Sequence, residues 1–228
     1  MDDLNLHKKN LFQKRLPERQ KLVKQLFSQG HIKSDIVKRS MEKVPREEFL
    51  PPEQKPYAYI DRPLPIGEGQ TISAPHMVAI ICEELSLKEG MKILEIGTGF
   101  GYNAAVVAEI IGETGELYSI ERVESLYNVA KDTLKRTGYS NVNLVLGDGT
   151  LGIPEAAPFD RIYLTAAAPY IPETLKNQLA IGGKILAPVG EIDQYQELIL
   201  LEKISDYEFK TSNLGGVAFV PLIGKHGW

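Results

Sequence analysis

Three carboxylates stand where short apolar runs end: Glu95 within 93–96, Glu121 after 117–120 and Asp148 after 141–146. Directly behind the first come Gly97, Gly99 and Gly101 at alternate positions, then the helix-like stretch 102–108. A strand, a glycine turn and a helix in that order let the backbone touch a ligand closely, because glycine accepts positive φ and carries no Cβ. The spacing G-x-G-x-G differs from the G-x-G-x-x-G of a pyrophosphate turn, and Glu95, two residues before the first glycine, would repel an anion. A ligand with an ammonium or sulfonium charge suits the place better, so S-adenosylmethionine is a sharper candidate than a dinucleotide. The structural alternative is a glycine turn with no ligand. Glu121 follows Gly97 by 24 residues, close to where a ribose-binding acid ends the second strand of a Rossmann-type unit.

These residues need a sheet to hold them on one edge, and from residue 91 onward strand and helix patterns alternate. Strands are expected at 93–96, 117–120, 141–146, 160–165 and 184–188, with helices near 102–108, 123–136 and 172–179 between them. Gly138 supplies a helix stop, and Gly182 with Gly183 turns the chain into the fifth strand. Stretches 197–203 and 216–222 read as two further strands with no helix between, which predicts an antiparallel end to the sheet. The expected fold is α/β, a Rossmann-like, doubly wound, mostly parallel sheet whose strand ends place Glu95, Glu121 and Asp148 on one carboxyl edge.

Ahead of the sheet, 11–29 shows apolar residues at helical spacing with Gly30 as a stop, and Ser34 can cap a second helix carrying Ile36, Val37 and Met41 and ended by Pro45. Seven Lys and Arg between Lys8 and Lys24 read as a solvated helix face. Residues 51–75 hold six prolines and tyrosines at 57 and 59 without clear periodicity, which reads as a long loop. At its end Ser73 is placed to cap a helix beginning near Pro75, with Met77, Val78, Ile80, Ile81 and Leu85 on its apolar faces. The expected organisation is a single domain over 1–228: a helical extension to residue 50, the loop 51–75, a cofactor-binding core 76–205, and a strand and tail over 206–228.

Composition narrows the function classes. The 228 residues are 43% hydrophobic and 25% charged with a formal charge of −4, which gives no sign of a nucleic-acid surface. The single cysteine, Cys82, excludes an intramolecular disulfide and a multi-cysteine metal site, and no stretch approaches a membrane span. A cytoplasmic protein, a monomer without metal, nucleic-acid or membrane partners, is expected. Cys82 reads as a buried helix residue and His76 as a polar group at a helix start.

The blocks 68–75 (EGQTISAP), 94–102 (LEIGTGFGY), 147–150 (GDGT), 165–169 (TAAAP) and 219–222 (FVPL) together closely resemble the protein-L-isoaspartate O-methyltransferases. They occur in the same order and cover most of the chain from about residue 45. The glycine turn alone indicates only a class I methyltransferase; Gln-Thr-Ile-Ser-x-Pro and Ala-Ala-Ala-Pro make the match specific. The resemblance implies methyl transfer from S-adenosyl-L-methionine, leaving S-adenosyl-L-homocysteine, to isoaspartyl residues of damaged proteins and peptides. It implies that Glu95 and the turn of Gly97, Thr98 and Gly99 hold the methionine end. Glu121 with Arg122 takes the ribose, and Asp148 with Gly149 lies by the adenine. Ser73 then stands between donor and acceptor carboxylate, and Ile72, Ala74, Val217, Phe219 and Val220 line a peptide groove. In some relatives the first two acids are Asp, so Glu95 and Glu121 reach one methylene further here.

That reaction fits the residues. An isoaspartyl carboxylate, with a reference pKa near ~4, is ionised at neutral pH and needs no general base. Charge disappears as carboxylate and sulfonium become ester and thioether, so a neutral hydroxyl orients the acceptor without holding back the transition state as a cation would. The competing readings are a methyltransferase of RNA or small molecules, a nicotinamide-dependent oxidoreductase and a module that senses the cofactor without chemistry.

Overall fold

The computed structural model describes residues 12–139, 141–192 and 195–228. Two helices open the described chain, α1 (Leu16–Ser28) and α2 (Asp35–Lys43), followed by a hairpin of β1 (Leu64–Gly67) and β2 (Gln70–Ile72) and the helix α3 (Pro75–Glu84). Then come β3 (Lys92–Ile96), α4 (Tyr102–Ile111), β4 (Glu116–Glu121), α5 (Glu124–Thr137), β5 (Val142–Leu146), β6 (Phe159–Leu164) and α6 (Glu173–Asn177). The strands β7 (Leu179–Gly190), β8 (Gln196–Lys203) and β9 (Phe209–Val217) complete the chain's regular structure.

Seven strands form one sheet in the order β5-β4-β3-β6-β7-β8-β9, parallel from β5 to β7 and antiparallel from β7 to β9. The expected Rossmann-like sheet with an antiparallel end is therefore present. The chain winds one way from β3 to β5 and the other way from β6, so the carboxyl ends of β3 and β6 flank a topological switch point, where ligands bind in such sheets. Alternation along β3 sends Leu94 and Ile96 to one apolar layer with Phe159, Ile162 and Leu175, and Ile93 to the other with α3, α4 and the N-terminal helices. Glu95 alternates with Leu94 and so points to the layer of Ile93.

Several elements differ from expectation. The long loop contains the β1–β2 hairpin, whose turn takes Gly67 and Gly69 at positive φ. Ser73 is not a helix cap: Ala74 holds that position in α3 with no side-chain bond, which leaves the Ser73 hydroxyl for other use. The last strand ends at Val217 instead of 222, and β7 begins five residues before the expected 184, passing through Gly182 at φ +78° while pairing skips from Leu179 to Lys184. Ser34 does cap α2, accepting from the Val37 N–H at 3.4 Å. The basic face of α1 is interrupted by Arg19, 2% exposed, which donates to the Glu42 carbonyl at 2.6 Å and the Tyr59 hydroxyl at 3.3 Å. The expected helix start at Leu11, with Lys8 and Lys9, lies outside the described residues.

Candidate active site

A cleft opens over the carboxyl ends of β3, β4 and β6. Residues 70–73 from the hairpin and 220–223 from the tail line it together with 96–100, Tyr102, Asn103, Glu121, Arg122, Gly149 and Thr165. The hairpin and the glycine turn, far apart in sequence, therefore face one space.

Turn geometry is set by three glycines at positive φ, and one of them admits nothing larger. Gly97 has φ +97°, and a Cβ there would collide with the Thr165 Oγ1, which donates to the Gly97 carbonyl at 2.6 Å. Gly97→Ala is expected to destabilise the fold by about 1–3 kcal/mol, as a strained backbone and a collision combine. Urea unfolding of the purified variant measures it.

Glu121 is 6% exposed and binds three backbone donors. Its Oε2 accepts from Gly99 N–H at 2.8 Å, and its Oε1 accepts from Arg122 and Val123 N–H at 2.9 Å each. The carboxylate thus ties the glycine turn to the end of β4, and two carboxylate oxygens have lone pairs beyond these three bonds. Exposed Arg122 and half-buried Val123 continue the wall.

Glu95 lies elsewhere than expected of a ligand contact. It is fully buried beneath the turn and is not part of the cleft wall. Its Oε2 accepts from the Ser119 hydroxyl, which shares a 2.5 Å contact with Thr98 Oγ1, and Thr98 does line the cleft. Tyr163, its register partner on β6, stands close enough for its hydroxyl to favour the ionised form, yet among the described residues neither that hydroxyl nor Glu95 Oε1 completes a hydrogen bond. Burial dominates and pushes the Glu95 carboxyl up to about 8, against Ser119 and Tyr163.

Asp148, expected beside the adenine with Gly149, is held by bonds from the chain. Its Oδ1 accepts from the Thr150 N–H and hydroxyl at 2.9 and 2.7 Å and its Oδ2 from the Lys225 N–H at 2.8 Å, while the adjacent Gly149 lines the cleft. Burial works to raise its pKa, but those bonds outweigh it and hold the carboxyl below the usual range. Of the expected groove residues, Ile72 and Val220 line the cleft. Ala74 is buried as the cap of α3, Val217 ends β9, and the Phe219 backbone is held by the Gln196 amide at 2.7 and 3.1 Å, so these three lie outside the wall. Half-buried Ser73 lines the cleft. His76 is bound to Asp61 Oδ1 through both its N–H and its Nδ1 at 2.9 Å, and burial raises the pKa of the Cys82 thiol.

One residue escaped the sequence reading. Asn103, in the first turn of α4, is 7% exposed and lines the cleft, and among the described residues neither its Oδ1 nor its Nδ2 has a hydrogen-bond partner. A buried amide without partners is costly, and it lies beside the free N–H groups of a helix start. That combination fits the ammonium and carboxylate of a ligand's amino-acid end. The sequence signal was a polar residue in the apolar stretch 102–111. Among the described residues no three His, Cys, Asp or Glu side chains gather as a metal site, and no helix is long and apolar enough to cross a membrane.

The family model described as protein-L-isoaspartate(D-aspartate) O-methyltransferase matches residues 17–227. Among curated relatives, the protein-L-isoaspartate O-methyltransferase of Methanothermobacter thermautotrophicus is 59% identical over 213 residues, 93% of this chain and 98% of that one. That of Methanococcus aeolicus is 57% identical over 207 residues, 91% and 94% of the two chains. A solved protein-L-isoaspartate O-methyltransferase superposes with a TM-score of 0.84 at 34% identity, covering 92% of this chain and 67% of that one. A Plasmodium falciparum structure in complex with S-adenosyl-L-homocysteine gives 0.81 at 29% identity, covering 90% and 98%.

Proposed function

The chain belongs to the protein-L-isoaspartate(D-aspartate) O-methyltransferase family, and we propose that its cleft seats donor and acceptor on facing walls, with Ser73 orienting the acceptor. The reaction is transfer of a methyl group from S-adenosyl-L-methionine to the free carboxylate of an L-isoaspartyl residue, which begins protein repair. When bound, the donor supplies a methyl group on a positively charged sulfur.

The observation that carries the assignment is that Ser73 and the turn of Gly97, Thr98 and Gly99 line one cleft. On the donor side, the Gly97–Gly99 backbone and the free amide of Asn103 receive the methionine end, Glu121 receives the ribose hydroxyls, and Gly149 lies against the adenine. Arg122 flanks the ribose. Glu95 acts from below, as a buried carboxyl that a cation in the cleft favours in its ionised form. On the acceptor side, Ile72 and Val220 contact the peptide, and the Ser73 hydroxyl donates to one carboxylate oxygen and leaves the other to attack. Phe219 and Val217 shape the approach, and Ala74 fixes Ser73 from behind. We take isoaspartyl proteins as the partners, a monomer as the working form and the cytoplasm as the compartment.

Ser73→Ala separates these roles. A hydrogen bond to a charged group contributes about 1.5–3 kcal/mol, so kcat/KM for an isoaspartyl peptide should fall roughly 10- to 100-fold. Affinity for S-adenosyl-L-homocysteine, read by titration calorimetry, should stay within about threefold. Equal losses in both would remove Ser73 from the acceptor side.

A further inference from the structure

The acceptor wall is not part of the sheet, because β9 stops at Val217 and residues 220–223 line the cleft beyond it. What replaces the ladder there is one side chain. Val217 is the last residue of β9 to pair with β8, and its partner is Gln196. Two residues on, the Gln196 carboxamide takes over: its Oε1 accepts from the Phe219 N–H at 2.7 Å and its Nε2 donates to the Phe219 carbonyl at 3.1 Å. A glutamine amide offers the acceptor and donor of a peptide group, so it grips a residue as a neighbouring strand would. Gln196 is 5% exposed and closely packed, since on the β7 side a Cβ on Gly190 would stand 2.9 Å from its Cα. From the other flank, past the end of β6, the Ala167 N–H donates to the Val220 carbonyl at 2.8 Å and the Ala167 carbonyl accepts from the Leu222 N–H at 2.7 Å. Phe219 is thus held by a side chain and Val220 and Leu222 by main chain, and Val220, next to the grip, lines the cleft.

We propose that Gln196 is a positioning residue for the acceptor: its buried carboxamide extends the grip of β8 to Phe219 and so sets Val220 in the wall that the peptide meets. The proposal rests on the reading that this wall receives the peptide. Without the amide, the Phe219 N–H and carbonyl lose their partner, and the acceptor must order the wall on binding, which raises acceptor KM. The groups assigned to the donor's methionine end and ribose follow β3 and β4, away from this grip, so donor affinity and the chemical step stay largely intact.

Two variants remove the grip to different extents. Gln196→Met keeps the length of the side chain and makes neither bond, whereas Gln196→Glu still accepts from the Phe219 N–H but turns a carboxylate lone pair toward the Phe219 carbonyl. With isoaspartyl peptide at saturating S-adenosyl-L-methionine, acceptor KM should rise about tenfold in Gln196→Met and in the same direction in Gln196→Glu. The expected kcat and dissociation constant of S-adenosyl-L-homocysteine lie within about threefold of wild type, where a side chain that merely supports the fold would move all three together. Amide hydrogen exchange at 219, 220 and 222 should accelerate in both variants while that at 97–103 stays unchanged. In the wild type the Phe219 amide should exchange slowly, a measurement that tests the grip even if a variant fails to fold. Donor affinity lost to the same extent as peptide KM rises, variant kinetics indistinguishable from wild type, or a wild-type Phe219 amide exchanging as fast as an unprotected one would each overturn the proposal. If the wild type itself methylates no isoaspartyl peptide, the reading of the wall fails, and the exchange of the Phe219 amide then decides separately whether Gln196 holds that residue.

Discussion

Glu121→Ala is expected to bind S-adenosyl-L-homocysteine about 100-fold or more weakly than wild type and to unfold at lower denaturant. The carboxylate accepts from Gly99, Arg122 and Val123 N–H, so its removal leaves three backbone donors at a nearly buried position without an acceptor. Each such loss costs about 1–3 kcal/mol where water cannot replace the bond, and the total should lower stability by roughly 3 kcal/mol. For a chain of this size that is a fall of about 6–12 °C in Tm. The donor loses twice, once through the ribose acceptor and once through a glycine turn no longer tied to β4. Glu121→Gln should be intermediate in affinity, because its amide keeps one acceptor oxygen but presents an N–H2 to a backbone N–H. Calorimetric titration checks both variants. Unchanged donor affinity in Glu121→Ala would show that the ribose is held elsewhere.

The second large effect is on the pH dependence of stability. Burial holds the folded Glu95 carboxyl near about 8, above the ordinary value of 4.5, so in the window between them the folded state binds a proton that the unfolded state has released. The contribution of Glu95 to stability is therefore fully present below about pH 4.5 and is lost as pH rises through about 8. Glutamine imitates the protonated acid, accepts from Ser119 and does not titrate. Relative to wild type, Glu95→Gln should gain stability from pH 5 to pH 9 by an amount on the order of 3 kcal/mol. Denaturant unfolding at several pH values measures the difference. A constant difference across that range would mean that Glu95 is ionised throughout in the folded protein.

Legibility in the sequence followed burial. The strand at 93–96 and the β/α alternation after it were readable because strands covered on both faces are continuous apolar runs. Strand β9, Phe209–Val217, carries mostly exposed residues and forms by pairing its backbone with β8, a signal that side-chain pattern does not hold. The apolar run 217–222 resembled a strand more, but its apolar residues serve the cleft wall and the bridge of Pro221 to Ala167. The hairpin at 64–72 was hidden in proline and glycine for a related reason, since its register depends on Gly67 and Gly69 at positive φ.

In the site, the strand pattern placed the glycine turn and Glu121 on one edge, because each sits at the end of a strand whose position the fold fixes, whereas Ser73 read as a helix cap and joined them only through the family resemblance. The pattern could not tell which way a carboxylate at such an end turns. Glu95 goes under the turn to Ser119 because β3 alternation directs it inward, and Asp148 goes to the tail because donors from a segment 77 residues later reach it first. The unpartnered amide of Asn103 became visible only once its surroundings were known.

The central claim is that this cleft reads a free carboxylate displaced by an isoaspartyl linkage. Its most direct test is incubation with methyl-labelled S-adenosyl-L-methionine and two peptides that differ only in having isoaspartate or aspartate, followed by counting of base-labile methyl ester. The account predicts label on the isoaspartyl peptide and background on the other. Equal label on both, or none on either while S-adenosyl-L-homocysteine still binds, would contradict it.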